Sequence, residues 1–316
     1  MPSITPRQKV EKVQKFGDGY VNVVLTGITF DDAYVEAEKF GTAQNAVFVH
    51  PFNDDTVIAG QGTVGKEIYE ELAGKVDFVF SSVGGGGLAS GSMVYLKEKN
   101  HHIHYLGVEP AGAAAMYESL KINRVVTLHD IDTFVDGAAV RRIGDKTFEI
   151  FRNYAAEVIT VPEGKVCTTM IELYQNEGII AEPAGALAVS ALDYAAYRIR
   201  GKVVVCIISG GNNDILRYPE IMEKSLRYEG LKHYFILNFA QKPGQLRKFL
   251  EHVLGPTDDI VRFEYMKKTN AEQGPALVGI ELANRDDYSL LITRLEQNGF
   301  DYRVISDDDM FYKHLV

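Results

Sequence analysis

The chain has no tryptophan and only two cysteines among its 316 residues, Cys167 and Cys206, both in apolar stretches. Two isolated cysteines in such surroundings predict reduced core residues rather than a disulfide or a metal site. Lys and Arg number 33 against 43 Asp and Glu, and the net charge of −10 argues against nucleic acid as a partner. No apolar run is long enough to span a membrane, and the first residues lack the apolar segment of a signal peptide. We therefore expect a cytoplasmic protein with no membrane partner.

The most unusual stretch of the sequence is a run of four glycines, 84–87, followed by Leu88. A β-like run, 76–80, precedes it and a helix-like segment, 89–96, follows it. Glycine lets backbone N–H groups approach a ligand closely, and a helix N-terminus adds partial positive charge. This pattern favours a phosphate site over the alternative of a flexible linker. The run lacks the endings of a P-loop and of a dinucleotide fingerprint, so we expect a compact cofactor with one phosphate.

The order of predicted elements divides the chain. Strand-like and helix-like runs alternate over 1–220, which predicts an α/β domain with a parallel sheet covered on both faces. Residues 20–25 and 47–49 are two of its predicted strands. After an expected linker at 221–230, the order becomes β-α-β-β-α-β, which predicts a ferredoxin-like α+β domain at 231–316.

Two polar residues stand at the ends of apolar, strand-like runs. Glu109 ends the run that begins at Tyr105, and Ser209 follows the run 202–208, which is apolar from Val203 onwards. In an open α/β sheet, ligands bind at the carboxyl ends of the strands. Both positions are therefore candidates for a site.

Three sequence patches together resemble the fold type II, or tryptophan-synthase-β-like, pyridoxal phosphate (PLP) enzymes. They are SVGGGGL, the pair VEPAGA and AEPAGA, and SGGNND. Three further stretches, HPFNDDTVIAGQGT, DGAAVRRIGDKTFE and YFILNF followed by PG, resemble the biosynthetic threonine dehydratases. The resemblance spans essentially the whole chain, and 231–316 are similar to the single ACT-like regulatory domain of the short form.

This resemblance implies a function. A member of the family converts L-threonine to 2-oxobutanoate and ammonia by PLP-dependent β-elimination, as a lyase of isoleucine and branched-chain amino acid biosynthesis. Isoleucine or valine would be its allosteric effectors, and a homo-oligomer is expected. A different substrate, such as serine, is an alternative within the same family.

The resemblance also assigns residues to the cofactor. Five consecutive residues match the loop whose backbone N–H groups hold the cofactor phosphate: Gly84, Gly85, Gly86, Gly87 and Leu88. Ser209 matches the serine that hydrogen-bonds the pyridine nitrogen. A neutral serine at this position would leave that nitrogen unprotonated.

Two carboxylates have alternative interpretations. Glu109 and the backbone carbonyl of Ala113 match positions that ligate a cation in relatives, and Ala115 in place of a side-chain ligand favours a monovalent cation or none. Alternatively, Glu109 caps the helix that follows it. Glu182 would lie near the cofactor ring or cap its own following helix, and the cap is the favoured interpretation.

The family attaches PLP through a lysine in a Ser-Phe-Lys-x-Arg-Gly context, and the sequence contains no such motif. The catalytic domain is therefore expected to be incomplete at its N-terminus, and no catalytic residue is assigned. Lys9, Lys12 and Lys15 lie on an amphipathic segment without the motif and are poor candidates for the linkage. An alternative is thus a catalytically inactive fragment that retains only cofactor-phosphate and amino-acid binding. The remaining α/β part is expected to expose an apolar face.

Overall fold

The computed structural model describes residues 1–265 and 272–306, which belong to two compact units, Met1–Arg217 and Tyr218–Val316. The helices of the first unit are α1 (Arg7–Gly17), α2 (Phe30–Gln44), α3 (Asp55–Glu71), α4 (Gly87–Lys99), α5 (Ala115–Lys121), α6 (Asp145–Asn153), α7 (Glu163–Glu177), α8 (Pro183–Ser190) and α9 (Leu192–Ile199). Its strands are β1 (Phe78–Ser82), β2 (His104–Pro110), β3 (Glu157–Val161) and β4 (Val204–Cys206).

The four strands of the first unit form one parallel sheet in the order β3-β2-β1-β4. Helices α4 and α8 both contact β1. Large side chains from the sheet and from two helices fill the core, among them Val79, Met93, Leu96 and Phe151, which are fully buried. The predicted α/β class with a parallel sheet is confirmed.

Helices α3 and α4 cross at closely packed glycines, and this crossing holds the helix that follows the glycine run. A Cβ atom on Gly91 would lie 2.1 Å from the carbonyl oxygen of Ile58, and one on Gly65 would lie 2.5 Å from that of Ser92. Both distances are far inside van der Waals contact. The backbones of the two helices can therefore meet only where a side chain is absent.

Two predicted strands, 20–25 and 47–49, are not strands in the structure. Their sequences favour strands, but β-structure is stable only when the backbone pairs with a neighbour, and no described residue pairs with either segment. Apolar side chains remain at the surface, with Tyr20 95% and Val47 91% exposed.

The second unit is an antiparallel α+β fold. Its elements are α10 (Tyr218–Tyr228), β5 (Lys232–Ala240), α11 (Gln245–His252), β6 (Asp259–Tyr265), β7 (Gln273–Glu281), α12 (Asp287–Gln297) and β8 (Asp301–Ile305). The strand order β6-β7-β5-β8 is that of a ferredoxin-like sheet, which confirms the predicted fold. The residues assigned to a linker, 221–230, lie largely within α10, which contacts β5. The last ten residues of the predicted domain, 307–316, lie outside the described residues.

Cys167 and Cys206 are both free thiols, as the sequence predicts. Cys167 is buried, and burial raises the pKa of the Cys206 thiol to about 12. Within the part of the chain that the structure describes, no helix combines the length and the apolar character needed to cross a membrane.

Candidate active site

The glycine run forms a strand–loop–helix unit at the carboxyl end of β1. The strand ends at Ser82, and the N–H of Val83 still donates to the carbonyl of Val108 on the neighbouring strand at 2.8 Å. Gly86 stands at the N-cap of α4 with a φ of 93°, a left-handed conformation that favours glycine. The loop is therefore anchored at one end by the sheet and at the other by a helix N-terminus.

The backbone N–H groups of this loop are available to a ligand. Among the described residues, the N–H groups of residues 84–87 donate to no backbone carbonyl and to no side chain. Buried backbone donors are nearly always paired in folded proteins, so a set of unpaired donors beside a cavity indicates a bound acceptor. Donors at a helix N-terminus also carry partial positive charge, which suits a phosphate. The loop fits the phosphate of the cofactor that the sequence analysis expects.

Packing of Phe52 against the loop explains why two of the loop positions are glycine. A Cβ atom on Gly85 would lie 2.2 Å from ring atoms of Phe52, and one on Gly87 would lie 3.0 Å from its Cα. A Cβ on Gly86 would lie 2.9 Å from the side chain of Thr147, in addition to the strain of its positive φ. Packing within the protein therefore requires glycine at these three positions, independently of any requirement for close approach of a ligand.

Thr147 and Gly144 hold the outer side of the loop. The hydroxyl of Thr147 lies 2.7 Å from the carbonyl oxygen of Gly85 and 3.0 Å from that of Gly144, so its single proton is shared between them. The N–H of Gly144 also donates to Gly85, at 3.3 Å. These contacts turn the carbonyl of Gly85 away from the cavity, which leaves the N–H side of the loop facing it.

The segment that carries Phe52 is itself fixed by hydrogen bonds. The Nδ1 atom of His50 accepts from the N–H of Phe52 at 3.2 Å and from that of Asn53 at 2.9 Å. Burial lowers the pKa of His50, which keeps the imidazole neutral and Nδ1 able to accept. The Oδ1 atom of Asn53 accepts from the N–H of Lys146 at 3.0 Å. Phe52 and Thr147 belong to two of the stretches that resemble threonine dehydratases, but the sequence alone gave neither residue a role.

Ser209 reaches the same cavity from the neighbouring strand. Strands β1 and β4 pair in parallel, and the N–H of Ile207 donates to the carbonyl of Phe80 at 2.9 Å. The segments that follow the two strands therefore leave the sheet at the same edge. A cavity of about 340 Å³ opens there. All six residues that the sequence assigns to the cofactor line it: Gly84, Gly85, Gly86, Gly87, Leu88 and Ser209. None of the described residues around this cavity is a lysine.

Glu182 also lines the cavity, which corrects the favoured interpretation of this residue as a helix cap. It stands at the N-cap of α8, but its side chain makes no capping hydrogen bond. Burial raises the pKa of its carboxyl group, and the ammonium of Lys9, 3.9 Å away, acts in the opposite direction. Lys9 also lies 3.5 Å from Asp136, so its ammonium is held by two carboxylates. Lys9 thus lies in an ion-pair cluster and is not among the residues that line the cavity.

Glu109 lies away from the residues that line the cavity and acts as a cap. It is fully buried, and its two carboxylate oxygens accept from the N–H groups of Met116 and Tyr117, each at 2.8 Å, in the first turn of α5. Burial raises the pKa of Glu109 to about 8, against the effect of these two donors. The structure thus shows that Glu109 caps the N-terminus of α5. Ligation of a cation by Glu109 and Ala113 stays a prediction, and no cluster of three metal-ligating side chains occurs among the described residues.

Comparisons with known proteins define the class. Residues 1–210 match the family described as pyridoxal-phosphate dependent enzymes, and residues 223–315 match the C-terminal regulatory domain of threonine dehydratase. The chain therefore belongs to the pyridoxal-phosphate-dependent enzymes. Biosynthetic L-threonine dehydratase of Halalkalibacterium halodurans is 50% identical over 100% of this chain and 76% of its own length, and that of Bacillus subtilis is 53% identical over 99% and 74%. Within its class, the chain belongs to the biosynthetic L-threonine dehydratases.

Solved structures agree with this family. Threonine deaminase isoform 2 from Solanum lycopersicum is 35% identical with a TM-score of 0.65, over 71% of this chain and 65% of that one. Serine racemase from maize is 28% identical with a TM-score of 0.62, over 72% of this chain and 69% of that one. The comparisons support the enzyme interpretation and give no support to an inactive fragment.

Proposed function

We propose that this chain takes part in the PLP-dependent conversion of L-threonine to 2-oxobutanoate and ammonia, with 1–220 as the catalytic part and 231–316 as the regulatory part. The observation that carries this proposal is the set of unpaired N–H groups at 84–87, which shares one cavity with the hydroxyl of Ser209. When bound, PLP supplies a ring that withdraws electrons from the α-carbon of an amino acid.

Each part of the cavity has a separate task in this proposal. The N–H groups of 84–87 and the N-terminus of α4 bind the phosphate. The hydroxyl of Ser209 would donate to the ring nitrogen, which would stay unprotonated because a neutral serine, unlike a carboxylate, does not stabilise the pyridinium form. The reaction also needs an amine that forms the linkage to the cofactor and removes the α-proton. The described residues that line the cavity include no lysine that could supply this amine.

Binding of 4-deoxypyridoxine 5′-phosphate tests the roles of the loop and of Ser209. This analogue has the phosphate and the ring nitrogen of the cofactor but no aldehyde, so its affinity does not depend on a linking lysine. We expect it to compete with inorganic phosphate in a fluorescence titration. Ser209→Ala should weaken the analogue about tenfold, as expected for the loss of one hydrogen bond, and leave phosphate binding unchanged.

Ser289→Ala is the matched control for this experiment. Ser289 lies on α12 in the second unit, where its hydroxyl donates to the carbonyl of Asp286. We expect no change in the affinity for either ligand. Equal binding of the analogue by the Ser209→Ala variant and the unmodified protein would contradict the role of Ser209. Release of 2-oxobutanoate from L-threonine, compared with release of pyruvate from L-serine, tests the substrate, and borohydride reduction with PLP followed by peptide mapping would identify a linked lysine.

The regulatory role of 231–316 is supported by a second cavity, of about 200 Å³, within the second unit. Its apolar lining includes Phe239, Leu246 and Phe263, and Lys242 stands at its edge beside the N-terminus of α11. An apolar lining beside a cationic edge suits an amino acid with a branched apolar side chain and a carboxylate. We assign the proposed isoleucine or valine site to this cavity.

Isothermal calorimetry measures the affinity of this site for isoleucine and valine. We expect Lys242→Ala to weaken binding about tenfold, because the carboxylate loses a charge-assisted partner. Arg247→Ala is the control, because Arg247 is on the same helix but pairs with Glu251 at the surface. An equal loss in both variants, or no heat from the unmodified protein, would rule out this assignment.

Two further features belong to the proposal. The protein forms a homo-oligomer, which sedimentation velocity measures directly, and it acts in the cytoplasm. The apolar surface around Tyr20 and Val47 is a candidate for burial on association.

A further inference from the structure

Ser82 ends β1, Ser209 lies three residues beyond the end of the neighbouring parallel strand β4, and their hydroxyl groups face each other. In the register of β1 and β4, Phe80 is paired with Cys206, and both segments continue in the same direction beyond that point. The two Oγ atoms lie 3.5 Å apart. This is longer than a typical O–H···O bond, so the two hydroxyls must approach each other to form a strong one.

Ser82 differs from the serine that precedes it. Side chains alternate between the two faces of a strand, so Ser81 and Ser82 point in opposite directions. Ser81 is fully buried and interacts with the hydroxyl of Tyr105, whereas Ser82 is partly exposed and lines the cavity of the glycine loop. Ser81 therefore belongs to the core, and the hydroxyl of Ser82 belongs to the site.

We propose that Ser82 is a positioning residue that sets the direction of the O–H group of Ser209. A serine hydroxyl has one proton to donate and two lone pairs that accept. Among the described residues, Ser82 is the only hydrogen-bond partner of the Ser209 hydroxyl. When Ser82 donates to Ser209, the proton of Ser209 is left to point into the cavity. This inference rests on the proposed role of Ser209 towards a pyridine nitrogen.

The direction of this bond has a chemical consequence for the ligand. A Ser209 hydroxyl that accepts from Ser82 can donate to the ring nitrogen, and the nitrogen must then be unprotonated. A Ser209 hydroxyl that donates to Ser82 can only accept from the ring, and the nitrogen must then carry a proton. A chain of two hydroxyls also strengthens the outer bond by polarisation. In the proposed arrangement, in which Ser82 is the donor, Ser209 therefore favours the neutral form of a pyridine ring.

A double-mutant cycle with 4-deoxypyridoxine 5′-phosphate tests this role. We expect Ser82→Ala to weaken the analogue about three- to tenfold, whereas Ser82→Thr, which keeps a hydroxyl on the same Cβ, should bind it like the unmodified protein. In the Ser209→Ala background, Ser82→Ala should have no further effect, because the partner through which it acts is absent. Affinity for inorganic phosphate should stay constant in all variants, since the glycine loop is unchanged.

The absorption spectrum of the bound analogue provides a second readout. We expect the spectrum of the neutral ring with the unmodified protein and with Ser82→Thr, and a shift towards the protonated ring with Ser82→Ala. Additive losses in the double variant, or an unshifted spectrum with Ser82→Ala, would overturn the inference while leaving the role of Ser209 intact. If Ser209→Ala itself changed neither affinity nor spectrum, the proposed role of Ser209 would fail and the inference about Ser82 with it.

Discussion

Gly85→Ala is expected to destabilise the first unit by about 3 kcal/mol, at the upper end of the usual cost of overpacking, and to weaken binding of inorganic phosphate at least tenfold. The added Cβ would lie 2.2 Å from the ring of Phe52, which contacts the rings of Phe30 and His50 on its other sides. Because the ring has little room to move, the loop must shift instead, and its N–H groups lose their common direction. Urea denaturation followed by circular dichroism measures the stability, and equilibrium dialysis measures the phosphate.

Two variants separate this clash from the intrinsic effect of alanine. Gly60→Ala, in α3, adds a Cβ that meets no atom within 4 Å, and should stabilise the protein by up to about 1 kcal/mol because alanine is the better helix former. Phe52→Ala combined with Gly85→Ala should be more stable than the sum of the two single losses, since the ring that clashes is gone. Simple additivity would show that Phe52 is not the reason for glycine at position 85.

Phe249→Ala is expected to lower the free energy of unfolding of the second unit by about 3–5 kcal/mol. Phe249 is fully buried in α11, and its ring makes edge contacts with the rings of Phe239 and Phe300, at centroid distances of 5.7 and 5.6 Å. Truncation removes both aromatic contacts and leaves a cavity in the centre of this core. Amino-acid binding in the second unit should fail as well, because Phe239 also lines the candidate effector cavity.

Hydrogen exchange followed by mass spectrometry can locate the damage caused by Phe249→Ala. Protection should fall throughout β5 and β7 and stay unchanged in β1 and β2. Leu250→Ala is the control on the same helix, because Leu250 is 44% exposed, and its cost should stay below about 1 kcal/mol. Equal loss of protection in the two units would show that they do not unfold separately.

The regular parts of the fold could be predicted because local pattern and final environment agree. The apolar run 203–208 contains β4, which pairs with β1 at one edge of the sheet, and the order of six elements after residue 231 is that of the observed fold. The segments 20–25 and 47–49 have the same strand-like composition but remain unpaired among the described residues. Composition shows that a segment can pair, and only the arrangement of other segments shows whether it does.

Prediction of the site was limited by distance along the chain. The glycine loop and Ser209 could be placed together because each follows a strand of the same parallel sheet. Phe52 and Thr147 reach the loop from segments more than 30 residues away on either side, and nothing in their own neighbourhood indicates that contact. Glu182 was expected to cap the helix that follows it, but its carboxylate makes no capping hydrogen bond and lies 3.9 Å from the ammonium of Lys9.

The contact between Phe52 and the glycine loop also restricts how this sequence can change over evolutionary time. A mutation of Gly85 to alanine would place a methyl carbon 2.2 Å from ring atoms of Phe52, so we expect selection against it even if phosphate could still bind. A change of Phe52 to a small residue must come first, because it removes the ring that a side chain at position 85 would clash with. We therefore expect that, in related proteins, alanine or serine at the position of Gly85 occurs only together with a small residue at the position of Phe52, and that the glycine at 86, held by its backbone angle, does not follow this rule.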